Sequence, residues 1–249
     1  MNFSRNNIFS NIPTITKFLL IANLALFAIS YILPDNISNL LAIYSPQSPQ
    51  FRPFQIITHM FMHGNFTHLF FNMFALFMFG SVLERYWGSQ RFFIYYFVTG
   101  FGAVAIHLFI QYLRIKHAIA EVEFSLGHTA VQEVINNGYK ALQMGYNYNE
   151  PLKANLNLLL NTQTVGASGA VYGLLLAFAI NFPNTPLYFM FIPIPIKAKW
   201  MVLGFFFIEL GLGILNHSGD NVAHFAHLGG MLFGLILIFL WKKRQFKQW

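Results

Sequence analysis

The sequence predicts an all-α, polytopic membrane protein built as a bundle of six transmembrane helices. Three observations carry that prediction: the composition, the number of long apolar runs, and the way basic residues are shared between the segments that join them. Of 249 residues, 56% are hydrophobic and 18% aromatic, while only 9% are charged, too few charges to coat a water-soluble domain of this size. There is no cysteine, which excludes a disulfide framework, a thiol nucleophile and a cysteine-ligated metal. The net charge of +7 does not indicate nucleic acid as a partner, because the lysines and arginines flank apolar runs instead of clustering on one soluble face.

A helix needs roughly 20 mostly apolar residues to cross about 30 Å of hydrocarbon, and fewer where the bilayer adapts. Six segments qualify, near 18–33, 68–83, 92–113, 165–182, 200–215 and 222–241. The first begins some way into the chain and no small-residue cleavage site follows Pro34, so it reads as a retained anchor and not as a signal peptide. This divides the chain into an inner N-terminal segment, 1–17, and a membrane domain, 18–249. Between the first two spans, residues 34–67 carry apolar residues at an interrupted spacing, which suits a loop lying in the membrane interface. An outer insertion at about 114–164 separates spans three and four; it is polar, has helical tendency up to Met144 and an Asn/Tyr-rich turn at 146–151, and is expected to form a small helical hairpin outside the membrane.

Orientation follows from lysine and arginine, which resist translocation, whereas acids count for little. With both termini inside, the inner segments hold Arg5, Lys17, Arg85, Arg91, Lys197, Lys199, Lys242, Lys243, Arg244 and Lys247, ten of the 15 basic residues. The remaining five, Arg52, Arg114, Lys116, Lys140 and Lys153, are spread over long outer loops beside Asp35, Glu121, Glu123, Glu133, Glu150 and Asp220. The inverse topology breaks the rule.

Polar side chains at membrane depth are expensive, so each is a candidate for packing, structure or function. In this topology His68, at the outer end of span two, Ser168, at the outer end of span four, and His227, about two turns into span six, all fall in the outer leaflet. Shared depth is the first requirement for side chains on different helices to meet. Ser168 lies in Gly166-Ala167-Ser168-Gly169-Ala170-Val171-Tyr172-Gly173. Most small-residue runs of this kind only let membrane helices approach closely, and the soluble nucleophile elbow is not met, since Ala170 occupies its last glycine. The serine does, however, start a helix, where free amide groups are available to a developing oxyanion.

His227 shares one helix face with Gly230 and Gly234, and span four offers Gly169 and Gly173 one turn apart. A glycine-to-glycine contact would draw His227 towards Ser168. A lone histidine in a span more commonly just hydrogen-bonds across helices, but a neutral imidazole beside a hydroxyl is also a general base for an otherwise poor nucleophile. Tyr172, one turn after Ser168, is placed to stack its ring on His227. His68 and Asn72 are one turn apart on one face; they are either a structural pair or donors to an oxyanion hole with the Ser168 amide. Glu209, the only carboxylate within a span, is read as structural, so no acid completes a triad.

These residues carry a resemblance. The sets His68-x-x-x-Asn72, Gly166-x-Ser168-Gly169 and Ala226-His227-x-x-Gly230-x-x-x-Gly234, in that order on spans two, four and six and joined by Glu84-Arg85, resemble the rhomboid intramembrane serine proteases from roughly residue 53 to 234. The resemblance implies a Ser168–His227 catalytic dyad, an oxyanion hole from His68, Asn72 and the Ser168 amide, and Tyr172 packed on the imidazole, with Gly166, Gly169, Gly230 and Gly234 supporting. It implies transmembrane proteins of the lipid bilayer as substrates, cleaved near the outer ends of their helices, with no metal and no cofactor. Span five and the loop over the site would form the substrate's entry. Two departures stand out: Phe54-Gln55 aligns where many members have Trp-Arg, and the 114–164 insertion is long. A catalytically silent relative would normally lack the serine or histidine. A transporter lined by His59, His63, His68, His224 and His227 predicts midplane charges beyond Glu209, and a zinc protease of the His-Glu-x-x-His type is not matched by His224 and His227, three residues apart. The expected location is a bacterial plasma membrane, with both termini cytoplasmic; oligomeric state is not encoded legibly.

Overall fold

A computed structural model describes residues 11–32, 35–188, 194–215 and 223–246. Its elements are helices apart from one small ladder. Helix α1 (Thr14–Ile32) is followed by an outer loop that carries α2 (Asp35–Leu41), α3 (Gln55–Thr58) and a single 3₁₀ turn, His59–Phe61. Helix α4 (Phe66–Ala75) runs through a π-helical turn, Leu76–Gly80, into α5 (Ser81–Trp87), giving one apolar rod, Phe66–Trp87. Its start is set by Asn65, whose side chain accepts the His68 amide at 2.8 Å, the arrangement that satisfies an orphan donor of the first turn. Then come α6 (Ser89–Leu126), α7 (His128–Gln143), α8 (Pro151–Asn161), α9 (Ser168–Asn181), strands β1 (Pro186–Tyr188) and β2 (Pro195–Lys197), α10 (Ala198–Leu215) and α11 (His224–Phe246).

Among the described residues, four helices are long and apolar enough to cross a membrane, Phe66–Trp87, Ser89–Leu126, Ala198–Leu215 and His224–Lys243, and two shorter apolar helices cover Thr14–Ser30 and Ser168–Asn181. The expected limits at Leu33 and Val222, like Pro34, Asp220 and Arg5, lie outside the described residues. The third apolar run does not stop at 113. Helix α6 continues to Leu126 as one rod of 38 residues, and its far end packs Ile115, Ala118 and Val122 against Val131 and Val134 of α7 and Leu156 and Leu160 of α8. That cluster is separate from the main core. The six-helix reading did not include the antiparallel pair β1–β2, in which Leu187 faces Ile196; strands of three residues have no periodicity to read.

Helix α1 is anchored by a carboxylate. Glu84, 2% exposed, accepts the Ile15 amide at 2.9 Å, the Thr16 amide at 2.7 Å, the Thr16 hydroxyl at 2.8 Å and the Ser89 hydroxyl at 2.7 Å. A negative charge at a helix N-terminus is favoured by the free amides there. In the outer loop Gln55 stands where the resemblance leads one to look for an arginine, and its amide ties the loop together. Gln55, 1% exposed, accepts the Arg52 amide at 3.0 Å and donates to the Leu40 and Gln50 carbonyls at 3.1 and 3.2 Å. Arg52 donates instead to the carbonyls of Pro49 and Phe51.

Two expected outcomes follow from these contacts. Glu84→Ala orphans the α1 amides and is expected to destabilise the fold by roughly 3 kcal/mol, read as a lower Tm of the purified protein in detergent; an unchanged Tm refutes the anchoring role. Burial pushes His59 down to about 4 despite the hydrogen bond from its Nδ1 to the Gln55 carbonyl, and burial together with the neighbouring His68 pushes His63 down to about 4. Both loop histidines fold in the neutral form, so their contribution is full above their ordinary value of 6.5 and is lost as pH falls from there towards 4. The Tm is expected to stay level above that window and drop within it; a Tm level down to the lower limit contradicts this.

Candidate active site

Ser168 is positioned by the segment in front of it. The backbone of Thr164 pairs with Ile43 of the outer loop, with N···O distances of 3.0 and 2.8 Å, the Gly166 amide donates to the His59 carbonyl at 2.9 Å, and Thr164 Oγ1 lies 3.0 Å from His107 Nε2 of α6. Gly166 has φ +127°, and a Cβ there would sit 2.8 Å from Cε1 and Nε2 of His68. Only glycine supplies that turn and tolerates the imidazole so close. Helix α9 then begins at Ser168 without a side-chain cap, so its first-turn amides have no intrahelical acceptor.

The opposite wall is α11. A Cβ on Gly230 would lie 1.9 Å from the Gly169 carbonyl oxygen, so the two helices meet backbone against backbone. The other two glycines face elsewhere: Gly173 meets Thr99 and Gly234 meets the Tyr95 ring, both on α6. The expected glycine-to-glycine contact is thus a single one, because α6 fills the groove a turn further in. Tyr95 also donates to the Gly173 carbonyl at 2.9 Å. This packing leaves His227 Nε2 2.9 Å from Ser168 Oγ. The Tyr172 ring lies on the His227 imidazole, with centroids 4.1 Å apart and planes 6° from parallel.

His68 sits against Gly166 and its ring contacts His63 at 5.1 Å between centroids. Asn72 is buried and donates from Nδ2 to the His68 carbonyl at 2.9 Å, which holds the two residues together and occupies one of the two amide hydrogens.

The largest departure from the sequence reading is Glu209. Read as structural, with no acid completing a triad, it is 5% exposed and turned towards His227: Oε2 lies 3.0 Å from His227 Nδ1 and 2.6 Å from His224 Nδ1, and Oε1 accepts the Tyr172 hydroxyl. The His227 contact is close but not aligned as a full hydrogen bond. The side of α10 that faces α11 was not readable from the sequence. That side is set by Gly213, where a Cβ would meet His224 and Phe225 at 3.2–3.3 Å, and by Arg114 of α6, which donates to the Gly213 carbonyl at 3.2 Å. A lone carboxylate in a span was the available signal. His224 is buried and lies against the same carboxylate.

Glu209, His224 and His227 each offer a metal-ligand atom, all within 4.8 Å of one another. Their spacings of 2.6 and 3.0 Å are hydrogen-bond distances, shorter than the roughly 3.3 Å that ligands at about 2.0–2.1 Å impose around a tetrahedral ion. As it stands, His224 is hydrogen-bonded to Glu209 and His227 lies in contact with it. What it suits chemically is a hydroxyl paired with an imidazole, beside free helix amides.

Set beside known proteins, this chain matches the family model of the rhomboid domain over residues 50–244, and it belongs to the rhomboid family. It is 26% identical over 210 residues to Rhomboid-like protein 11, chloroplastic, of Arabidopsis thaliana, covering 76% of this chain and 53% of that protein. It is 26% identical over 181 residues to the Rhomboid protease AarA of Providencia stuartii, with 72% and 52% covered. An uncharacterized mitochondrial rhomboid protein of Schizosaccharomyces pombe is 28% identical over 211 residues, with 76% and 52% covered. The chain spans about half the length of the curated relatives it matches. An integral, multi-pass membrane protein is therefore supported, whereas the expected bacterial plasma membrane is not, since the locations printed for relatives are chloroplast and mitochondrion.

Gly230→Ala forces a methyl group onto the Gly169 carbonyl and is expected to cost about 1–3 kcal/mol by overpacking while spreading α9 from α11. The measurements are Tm and the rate of Ser168 labelling by a fluorophosphonate, both lower than wild type. Wild-type labelling in a folded variant would show that the backbone contact does not set the Ser168–His227 distance.

Proposed function

We propose that this protein is an intramembrane serine endopeptidase that cleaves transmembrane helices of membrane proteins near their outer ends, through Ser168 as nucleophile and His227 as base. The observation that carries the reading is the 2.9 Å separation of His227 Nε2 and Ser168 Oγ, on two apolar helices of a rhomboid-family chain. Six helices cross the membrane with both termini on the inner side, α9 being the shortest of them. Helix α9 has 14 residues and is about 21 Å long, shorter than the roughly 30 Å hydrocarbon core. Its start at Ser168 is accordingly sunk below the outer surface, reached through residues 162–167.

In the reaction, His227 Nε2 takes the Ser168 hydroxyl proton as Oγ attacks the scissile carbonyl carbon. The oxyanion is received by the Ser168 amide with His68 and Asn72 as side-chain donors. The imidazolium returns its proton to the leaving amine, and water, activated by the same imidazole, releases the acyl group. Tyr172 keeps the imidazole plane fixed throughout.

The test is cleavage of a model transmembrane substrate by the purified protein, in detergent containing a metal chelator. Wild type is expected to cleave; Ser168→Ala and His227→Ala are expected to lose roughly 10³-fold or more in kcat. Substantial cleavage by either variant sinks the assignment, and dependence on metal would move it to a different class of protease.

A further inference from the structure

We infer that Glu209 is a positioning residue for His227, so that the site operates as Ser168–His227–Glu209 across α9, α11 and α10 and not as a dyad. The inference rests on the protease reading above and deepens it.

It follows from where the protons must be. For His227 Nε2 to accept the Ser168 hydroxyl at 2.9 Å, that nitrogen must be unprotonated, which puts the imidazole hydrogen on Nδ1. Nδ1 is buried, and among the described residues no acceptor meets hydrogen-bond geometry with it; Glu209 Oε2, at 3.0 Å, is the group in range. The misalignment is of the kind that tightens when substrate binds.

The carboxylate is itself held from two sides. Tyr172 donates to Oε1 from the residue whose ring covers the imidazole. His224 Nδ1 lies 2.6 Å from Oε2, one turn before His227 on the same helix. A buried charge is tolerated only with such donors, and a helix contact alone does not need one. Three donors converging on one carboxylate, with the third being the imidazole of the proposed base, is the pattern of an acid that fixes the tautomer and stabilises the imidazolium.

The experiment uses the full chain in detergent and compares wild type, Glu209→Gln and Glu209→Asp, measuring kcat, KM, the pH profile and Tm. Removing the charge is expected to lower kcat on the order of 10²–10⁴-fold with KM little changed. It should also move the acidic limb of kcat to lower pH, because the imidazolium loses its counter-charge. Glu209→Asp should restore the limb and part of kcat. The other titratable groups around the pair are Tyr172 on α9, His224 on α11, His68 on α4 and His107 on α6, with His63 beyond His68; all are intact in each variant, so a shift belongs to Glu209.

A folded Glu209→Gln with wild-type kcat and acidic limb overturns the inference, as does a loss confined to Tm. A second measurement needs no change at Glu209. In wild type labelled with ¹⁵N-histidine, the His227 signal, assigned by its absence from His227→Ala, is expected in the Nδ1–H tautomer; the Nε2–H tautomer overturns the inference. A wild type that neither cleaves nor reacts with a fluorophosphonate would instead bring down the protease reading itself.

Discussion

The contact of Gly230 with the Gly169 carbonyl is the constraint on which the site depends. With no side chain between them, α9 and α11 are held at the distance of two backbones. Ser168 is adjacent to one of these glycines and His227 is one turn from the other. Small residues on α6 extend the arrangement: Ala103 lies under Gly169, the Gly102 carbonyl under Gly229, and Gly102 accommodates the Phe233 ring. In a membrane, where apolar side chains gain little by leaving lipid, close approach of this sort is what holds helices together. The three helices that carry it are also those that carry the hydroxyl, the imidazole and the Tyr95 bond between them.

Around this dry contact the polar bonds solve a different problem, the irregular backbone that precedes Ser168. Backbone at membrane depth is tolerated where protein satisfies its amides and carbonyls. The Ile43–Thr164 pair and the His59–Gly166 bond do so here, and Gln55 in turn fixes the loop that supplies them. The buried Glu84 performs the same service for the start of α1. Among the described residues, the two buried acids, Glu84 and Glu209, therefore each have a set of donors.

Much of this was legible in the sequence. The apolar runs located the helices, the shared depth of Ser168, His227 and His68 pointed to a meeting place, and the period of the glycines indicated which face of α11 turns to α9. What escaped was of two physical kinds. Azimuth escaped where no pattern marks it: α10 is apolar nearly all round, so the direction of Glu209 depended on Gly213 and Arg114, and the partner of Gly173 and Gly234 depended on a third helix. Length escaped where soluble and membrane helices share one rod, since α6 stays helical to Leu126 after its apolar run has ended. The roles of the site residues are chemistry, which neither periodicity nor depth encodes.

The hydroxyl and the imidazole are 59 residues apart in the chain, and they lie on helices separated by all of α10. During synthesis α9 is made while α11, which bears the imidazole, has still to be translated. Until α11 docks, Ser168 lacks the imidazole 2.9 Å from it and the Gly169 face is uncovered. Under the proposed assignment, a nascent or arrested chain has no base beside Ser168, and the pair forms in one step when α11 docks.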